Sequence, residues 1–154
     1  MAVCIAVLDR QSTPLKLCTN DPSKEVAFHY ILHTSLDVID ERTQNSSVGP
    51  TAHAGAKSTE PLRDLYLGVL YSTEQHKVFG YVTNTNVKFV IIVDGSNTNI
   101  RDNEIRQMFR KLHNGYANLL YNPFYMPGTP IESKKFQSVV QSLLLPNSAV
   151  AVAK

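Results

Sequence analysis

The sequence predicts an α+β domain whose elements run β-β-α-β-β-β-α-α, and three observations carry that prediction. Two short apolar strand patterns open the chain, a long helical pattern follows, and three closely spaced strand patterns precede two closing helices. The connections among the last three strands are short enough to force an antiparallel meander. The order also lacks any set of residues equipped for chemistry. A full core without a catalytic cluster points to a part that binds other parts.

Residues 2–8 are apolar and rich in β-branched side chains without polar alternation, so both faces of that strand are expected to be covered. A turn cluster over 9–14 leads to a returning strand over 15–19. Asn20, Asp21, Pro22 and Ser23 supply start signals for a helix. Ser23 reads as its N-cap, and Glu25 sits in the first turn where the dipole favours an acid. Laid out at 100° per residue, the helix over about 24–42 turns Ala27, Phe28, Ile31, Leu32, Leu36, Val38 and Ile39 to the core. Its other half holds Val26, His29, Tyr30, His33, Asp37, Asp40 and Glu41. A solvated face would carry Lys and Glu; an aromatic, a Val and two His beside one acidic row are closer to an interface.

From 43 to 61 the composition collapses into Ser, Thr, Gly, Ala and Pro, the signature of a flexible insertion within a domain spanning 1–146. Strand patterns follow over 65–71, 77–83 and 87–93, the last nearly all apolar and therefore central in a sheet. Asn97 or Asn99 reads as the cap of the next helix, with Asp102 and Glu104 in its first turn. Ile105, Met108, Phe109, Leu112, Tyr116, Leu119 and Leu120 form its apolar stripe, and Asn122-Pro123 ends it. After a loop containing Pro and Gly, Phe136, Val139, Val140, Leu143 and Leu144 mark a last helix stopped by Pro146. Residues 147–154 read as a fraying tail.

Composition narrows the function. The 154 residues are 43% hydrophobic and 18% charged, as in a globular domain. A net charge of +2 is too mild to call for nucleic acid. The apolar opening lacks the basic start and small-residue cleavage site of a secretory signal, and two cysteines are too few for a disulfide scaffold, so a cytosolic chain is expected. His29, His33 and Asp37 share a face at the spacing of helical zinc ligands, but Tyr30 stands where the general-base Glu belongs, and surface histidines are the better reading. Residues 49–58 resemble a phosphate-binding loop with the wrong glycine spacing and no strand or helix to frame it. Arg101, Arg106, Arg110 and Lys111 make the second helix basic, which reads as a solvated face paired with Asp102 and Glu104, the alternative being a contact with acidic lipid or phosphate. Cys4 and Cys18 read as inert thiols. Neither an enzyme nor a cofactor or metal site is expected.

Seven blocks then agree in order with one family. The opening Met1 to Val7, the helical stretch Phe28 to Glu41, and Leu65 to Tyr71 come first. Tyr81 to Asn84 with Val87 to Val90, Arg101 to Arg106, Met108 to His113, and Asn122 to Tyr125 complete them. Together they resemble the sedlin family of TRAPP subunits over residues 1–144, with a longer stretch at 43–61 and an unrelated last ten residues as the departures. The resemblance implies a longin-like (SNARE-like) fold, a five-stranded antiparallel sheet with one helix on one face and two on the other. It also implies a non-catalytic subunit of an assembly that tethers vesicles and activates Rab GTPases at the endoplasmic reticulum and Golgi. Its partners would be other TRAPP subunits, including a large complex-specific one, with an indirect Rab link and at most peripheral membrane association. The outward face of the first helix is the expected docking surface, with Tyr30 as anchor and Val26, His33 and Asp37 around it; of these, Asp37 is the position the resemblance carries over, as the acid that sets register. The rival expectation is a free-standing longin-type module that binds a SNARE or small GTPase directly.

Overall fold

A computed structural model describes residues 2–45, 65–95 and 100–144. The strands are β1 (Ala2–Leu8), β2 (Pro14–Thr19), β3 (Tyr66–Ser72), β4 (His76–Val82) and β5 (Lys88–Asp94), and the helices are α1 (Glu25–Asn45), α2 (Asp102–Leu120) and α3 (Lys134–Leu144). The strands form one antiparallel sheet in the order β2-β1-β5-β4-β3. The two hairpin-built pieces are sewn together by β1 and β5, with Ile5 opposite Ile91 and Val7 opposite Phe89. Both strands are apolar on both faces, so the centre of the sheet is where they can hide them.

Strand alternation sorts the core into two layers. Cys4, Ala6, Leu8, Val78, Val90 and Ile92 face α1, which brings Phe28, Leu32, Leu36 and Ile39. Ile5, Val7, Phe89, Ile91 and Val93 face the other way, against Ile105, Phe109, Leu112 and Tyr116 of α2 and Phe136, Val140 and Leu143 of α3. The predicted order and fold class are therefore those observed. The helix starts differ. Asp21, not Ser23, caps the entry: its Oδ1 accepts the Ser23 N–H at 3.2 Å over a short 3-10 turn, because Pro22 already has the φ of a first helical position. Arg101 occupies the cap position of α2 with extended backbone and no side-chain hydrogen bond, while Asn97 and Asn99 lie outside the described residues. α1 continues to Asn45, so the predicted insertion begins no earlier than 46, and the rest of it lies outside the described residues.

The α1 stripe also needs correction. Ala27 is exposed, because it lies about 100° from Phe28 at the margin of the arc. Ser35 is buried at the centre of that arc, and its hydroxyl donates to the Ile31 carbonyl at 2.7 Å, so the helix satisfies its own polar intruder. At the far end Arg42 donates to the carbonyls of Leu67 (2.7 Å) and Leu70 (3.3 Å). These flank an irregularity in β3 where Gly68 takes φ +73, a conformation that side chains resist, and the guanidinium caps carbonyls near this break in the ladder.

One charge is buried in the α1 layer. Lys88 has only 6% of its surface exposed, and its ammonium donates to Asp40 Oδ1 at 2.6 Å and Ser12 Oγ at 2.7 Å. Asp40 is half exposed and Lys88 is not, so the two ends of this pair are unequal. Asp40→Ala strands a buried ammonium with one hydroxyl, and a loss of about 1–3 kcal/mol is expected. Lys88→Met leaves a carboxylate that water can reach, and its expected change is within about 1 kcal/mol. Urea midpoints of the two variants measure this; equal losses would mean that the pair, not the buried cation, sets the cost.

Candidate partner interface

α1 lies on one face of the sheet with Phe28, Leu32, Leu36 and Ile39 inward, which fixes what points outward. Val26, Tyr30, His33 and Asp37 are all exposed, and at 100° per residue they fall within an arc of about 60°. Val26 is 82% exposed and Tyr30 76%, so the strip begins with two large apolar side chains standing in water. Asp37 makes no hydrogen bond or ion pair among the described residues, including with His33 one turn earlier. It is therefore not held as a helix-stabilising partner of that histidine. Of the other outward residues, His29 is half-buried and Asp40 is spent on Lys88, while exposed Glu41 continues the strip about 20° beyond Tyr30.

Among the described residues no three His, Cys, Asp or Glu side chains gather as a metal cluster, and His53 and the phosphate-loop-like stretch lie outside those residues. Arg106 of the basic helix is engaged: its Nε donates to Asp102 Oδ2 at 2.9 Å, and its guanidinium lies 4.3 Å from the centre of the Tyr66 ring. The Tyr66 hydroxyl donates to Asp102 Oδ1 at 2.6 Å, and this bond and that of Arg106 hold the Asp102 carboxyl below its usual range. No helix among the described residues is long and apolar enough to cross a membrane.

The two thiols sit on adjacent strands but on opposite faces, Cys4 in the α1 layer and Cys18 against the α2–α3 layer. Burial pushes the Cys4 thiol up from 9.0 to about 12, and it likewise pushes the Tyr116 phenol from 10.0 to about 12. A thiol that holds its proton is no nucleophile at neutral pH. The same shifts set an alkaline limit. Above pH 9 the unfolded chain gives up the Cys4 proton while the folded chain keeps it to about pH 12, so stability falls as pH rises through that window. Each such group contributes a slope of about 1.4 kcal/mol per pH unit there. Cys4→Ala is expected to flatten the fall in urea midpoint above pH 9, and an unchanged slope would exclude Cys4 as a source.

The comparisons decide the family. The sedlin family model matches residues 9–145, nearly the whole of the described domain. The chain belongs to the sedlin family. A trafficking protein particle complex subunit 2-like protein from Xenopus tropicalis is 51% identical over 146 residues, covering 95% of this chain and 99% of its own length. The like-named protein of Dictyostelium discoideum is 35% identical over 146 residues, covering 92% and 95%. A transport protein particle 20 kDa subunit of Schizosaccharomyces pombe is 26% identical over 114 residues, covering 74% and 69%. The sheet and three helices are those expected of this family.

One surface escaped the sequence reading. The connection after α2, read there as a loop with Pro and Gly and as a block of the family resemblance but not as a surface, exposes Tyr121, Phe124 and Met126. The signal was present: no charged residue occurs from 114 to 131.

Proposed function

We propose that this chain is a non-catalytic subunit of the TRAPP vesicle-tethering and Rab-activating assembly, acting in traffic between the endoplasmic reticulum and Golgi and at the Golgi. It works by docking other subunits, among them a large complex-specific one, and it links to the Rab GTPase only through them. The observation that carries this reading is the end-to-end match to a relative named as a complex subunit, 51% identical over 95% of this chain. The exposed strip Val26, Tyr30, His33 and Asp37 supports the docking role, since an aromatic and a Val in water beside an acid supply area and orientation together. The protein would be cytoplasmic, held at endoplasmic reticulum and Golgi membranes by the assembly.

Affinity recovery of the tagged full chain, with quantitative mass spectrometry, tests the reading. Several TRAPP subunits in comparable amounts are expected. Recovery of a lone SNARE or small GTPase, with elution as a small particle, would replace the assembly by the free-standing module.

A further inference from the structure

The connection between α2 and α3 is built to protrude. Phe124 N–H is held by Asn122 Oδ1 at 3.2 Å, Tyr125 N–H by the Asn122 carbonyl at 3.1 Å, and the Thr129 hydroxyl by the Met126 carbonyl at 2.7 Å. The base is pinned by Ile131, fully buried, whose N–H donates to Leu15 O at 3.1 Å. On this closed frame Phe124 is 91% exposed, Tyr121 81% and Met126 70%. Local bonds thus hold three large apolar side chains in water at little entropic cost to a later contact.

Beside the knob runs a groove of about 410 Å³ between α2 and α3, floored by Gly115, Leu119, Phe136 and Val139 and edged by Lys134 and Lys135. Asn122, which holds Phe124, lines the same groove. Exposed Arg110 lies on the Tyr121 face of α2, roughly three turns before it. Against these three cations the neighbourhood carries two acids, Glu132 and Asp9, and Asp9 faces Gly128 of the connection rather than the groove that Lys134 and Lys135 line. We propose that this knob and groove form a second docking surface, taken by a protein partner whose apolar pocket has an acidic rim. The proposal rests on the subunit reading above and adds a partner face on the opposite side of the sheet from α1. A knob next to a concave groove matches the relief of a folded partner. A bilayer surface offers no ridge to fill the groove. The chain is thereby a bridge, with an acid-bearing face on α1 and a cation-rimmed face at the α2–α3 corner.

The test uses the tagged full chain in cells depleted of the native protein, comparing wild type, Phe124→Glu, Lys134→Glu/Lys135→Glu and Asp37→Tyr by quantitative recovery of TRAPP subunits. Phe124→Glu is expected to lose at least one subunit fivefold or more while keeping those that Asp37→Tyr loses. The double lysine reversal should lose that same subunit, and the purified pair should weaken with added salt. Melting temperatures check that each variant folds. The proposal is overturned if Phe124→Glu recovers every subunit at wild-type levels, or loses the same set as Asp37→Tyr. Unchanged subunits combined with Phe124-dependent binding to phosphatidylserine vesicles would make the surface a lipid contact instead, and Phe124-dependent self-association in sedimentation velocity would make it a contact between copies. If wild type recovers no TRAPP subunit, the subunit reading itself fails and this surface loses its partner with it.

Discussion

Asp37→Tyr is expected to weaken recovery of the partner docked on α1 by about 100-fold, while the melting temperature of the isolated chain moves by no more than a degree or two. An acid at a partner surface, when replaced by a bulky ring, loses its charge pairing and obstructs the fit, and losses of about 2–5 kcal/mol attend truncation of such groups. The fold has little stake in the residue: it is exposed, it makes no hydrogen bond or ion pair among the described residues, and Tyr differs little from Asp in helix propensity. Tyr30→Ala belongs to the same experiment. A 76% exposed tyrosine contributes almost nothing to the core, so a loss of roughly 30-fold in affinity without a stability change is its signature as an anchor. Titration of purified partner against each variant, alongside thermal melts, separates the outcomes. If Asp37→Tyr unfolds the chain, or if both variants bind as wild type does, the α1 strip is not the docking face.

These variants test what the sequence shows well, namely the outward half of one helix. Periodicity names the faces of an isolated helix because neighbours three and four apart are determined by geometry alone. The same local rule made β1 and β5 legible, since strands apolar on both faces must lie where both are covered. Pairings between distant residues were not legible. Lys88 lies 48 residues from Asp40, and nothing local in either segment announces that a lysine inside a central strand will be buried against a carboxylate of α1. Ser35 was not legible either: a polar residue on the core arc carries no hydrophobic signal, and its burial is allowed because its hydroxyl is satisfied by the preceding turn. The corner bearing Phe124 was lost to convention, since Pro and Gly mark a loop and a loop is assumed to be polar. At the helix starts Ser23 and Asn97 or Asn99 had the right chemistry in the wrong place. Pro22 moved the first cap to Asp21, and the second helix begins behind an arginine that caps with its backbone alone.

The largest expected loss of stability lies under α2. Phe89 is fully buried on β5, with its ring 5.9 Å from Tyr81, 5.7 Å from Tyr116 and 6.2 Å from His113. Tyr81 in turn stacks on Phe109 at 5.4 Å, and its hydroxyl is 3.0 Å from His113 Nδ1. Phe89 is thus the point at which the central strand meets both the neighbouring strand and the helix above. Phe89→Ala removes the ring and leaves a cavity that aromatic neighbours held on fixed backbones cannot close, at a cost of about 3–5 kcal/mol. Against a total stability of about 5–15 kcal/mol that is a large share, and a melting temperature lower by roughly 10 °C or more is expected. Phe124→Ala is the matched control: the same atoms are deleted from a side chain 91% exposed, and a change within about 0.5 kcal/mol is expected. The pair separates the two uses of phenylalanine in this chain. If Phe89→Ala melts within a few degrees of wild type, the aromatic cluster does not hold α2 to the sheet, and the corner carrying Phe124 loses the rigid base on which its presentation depends.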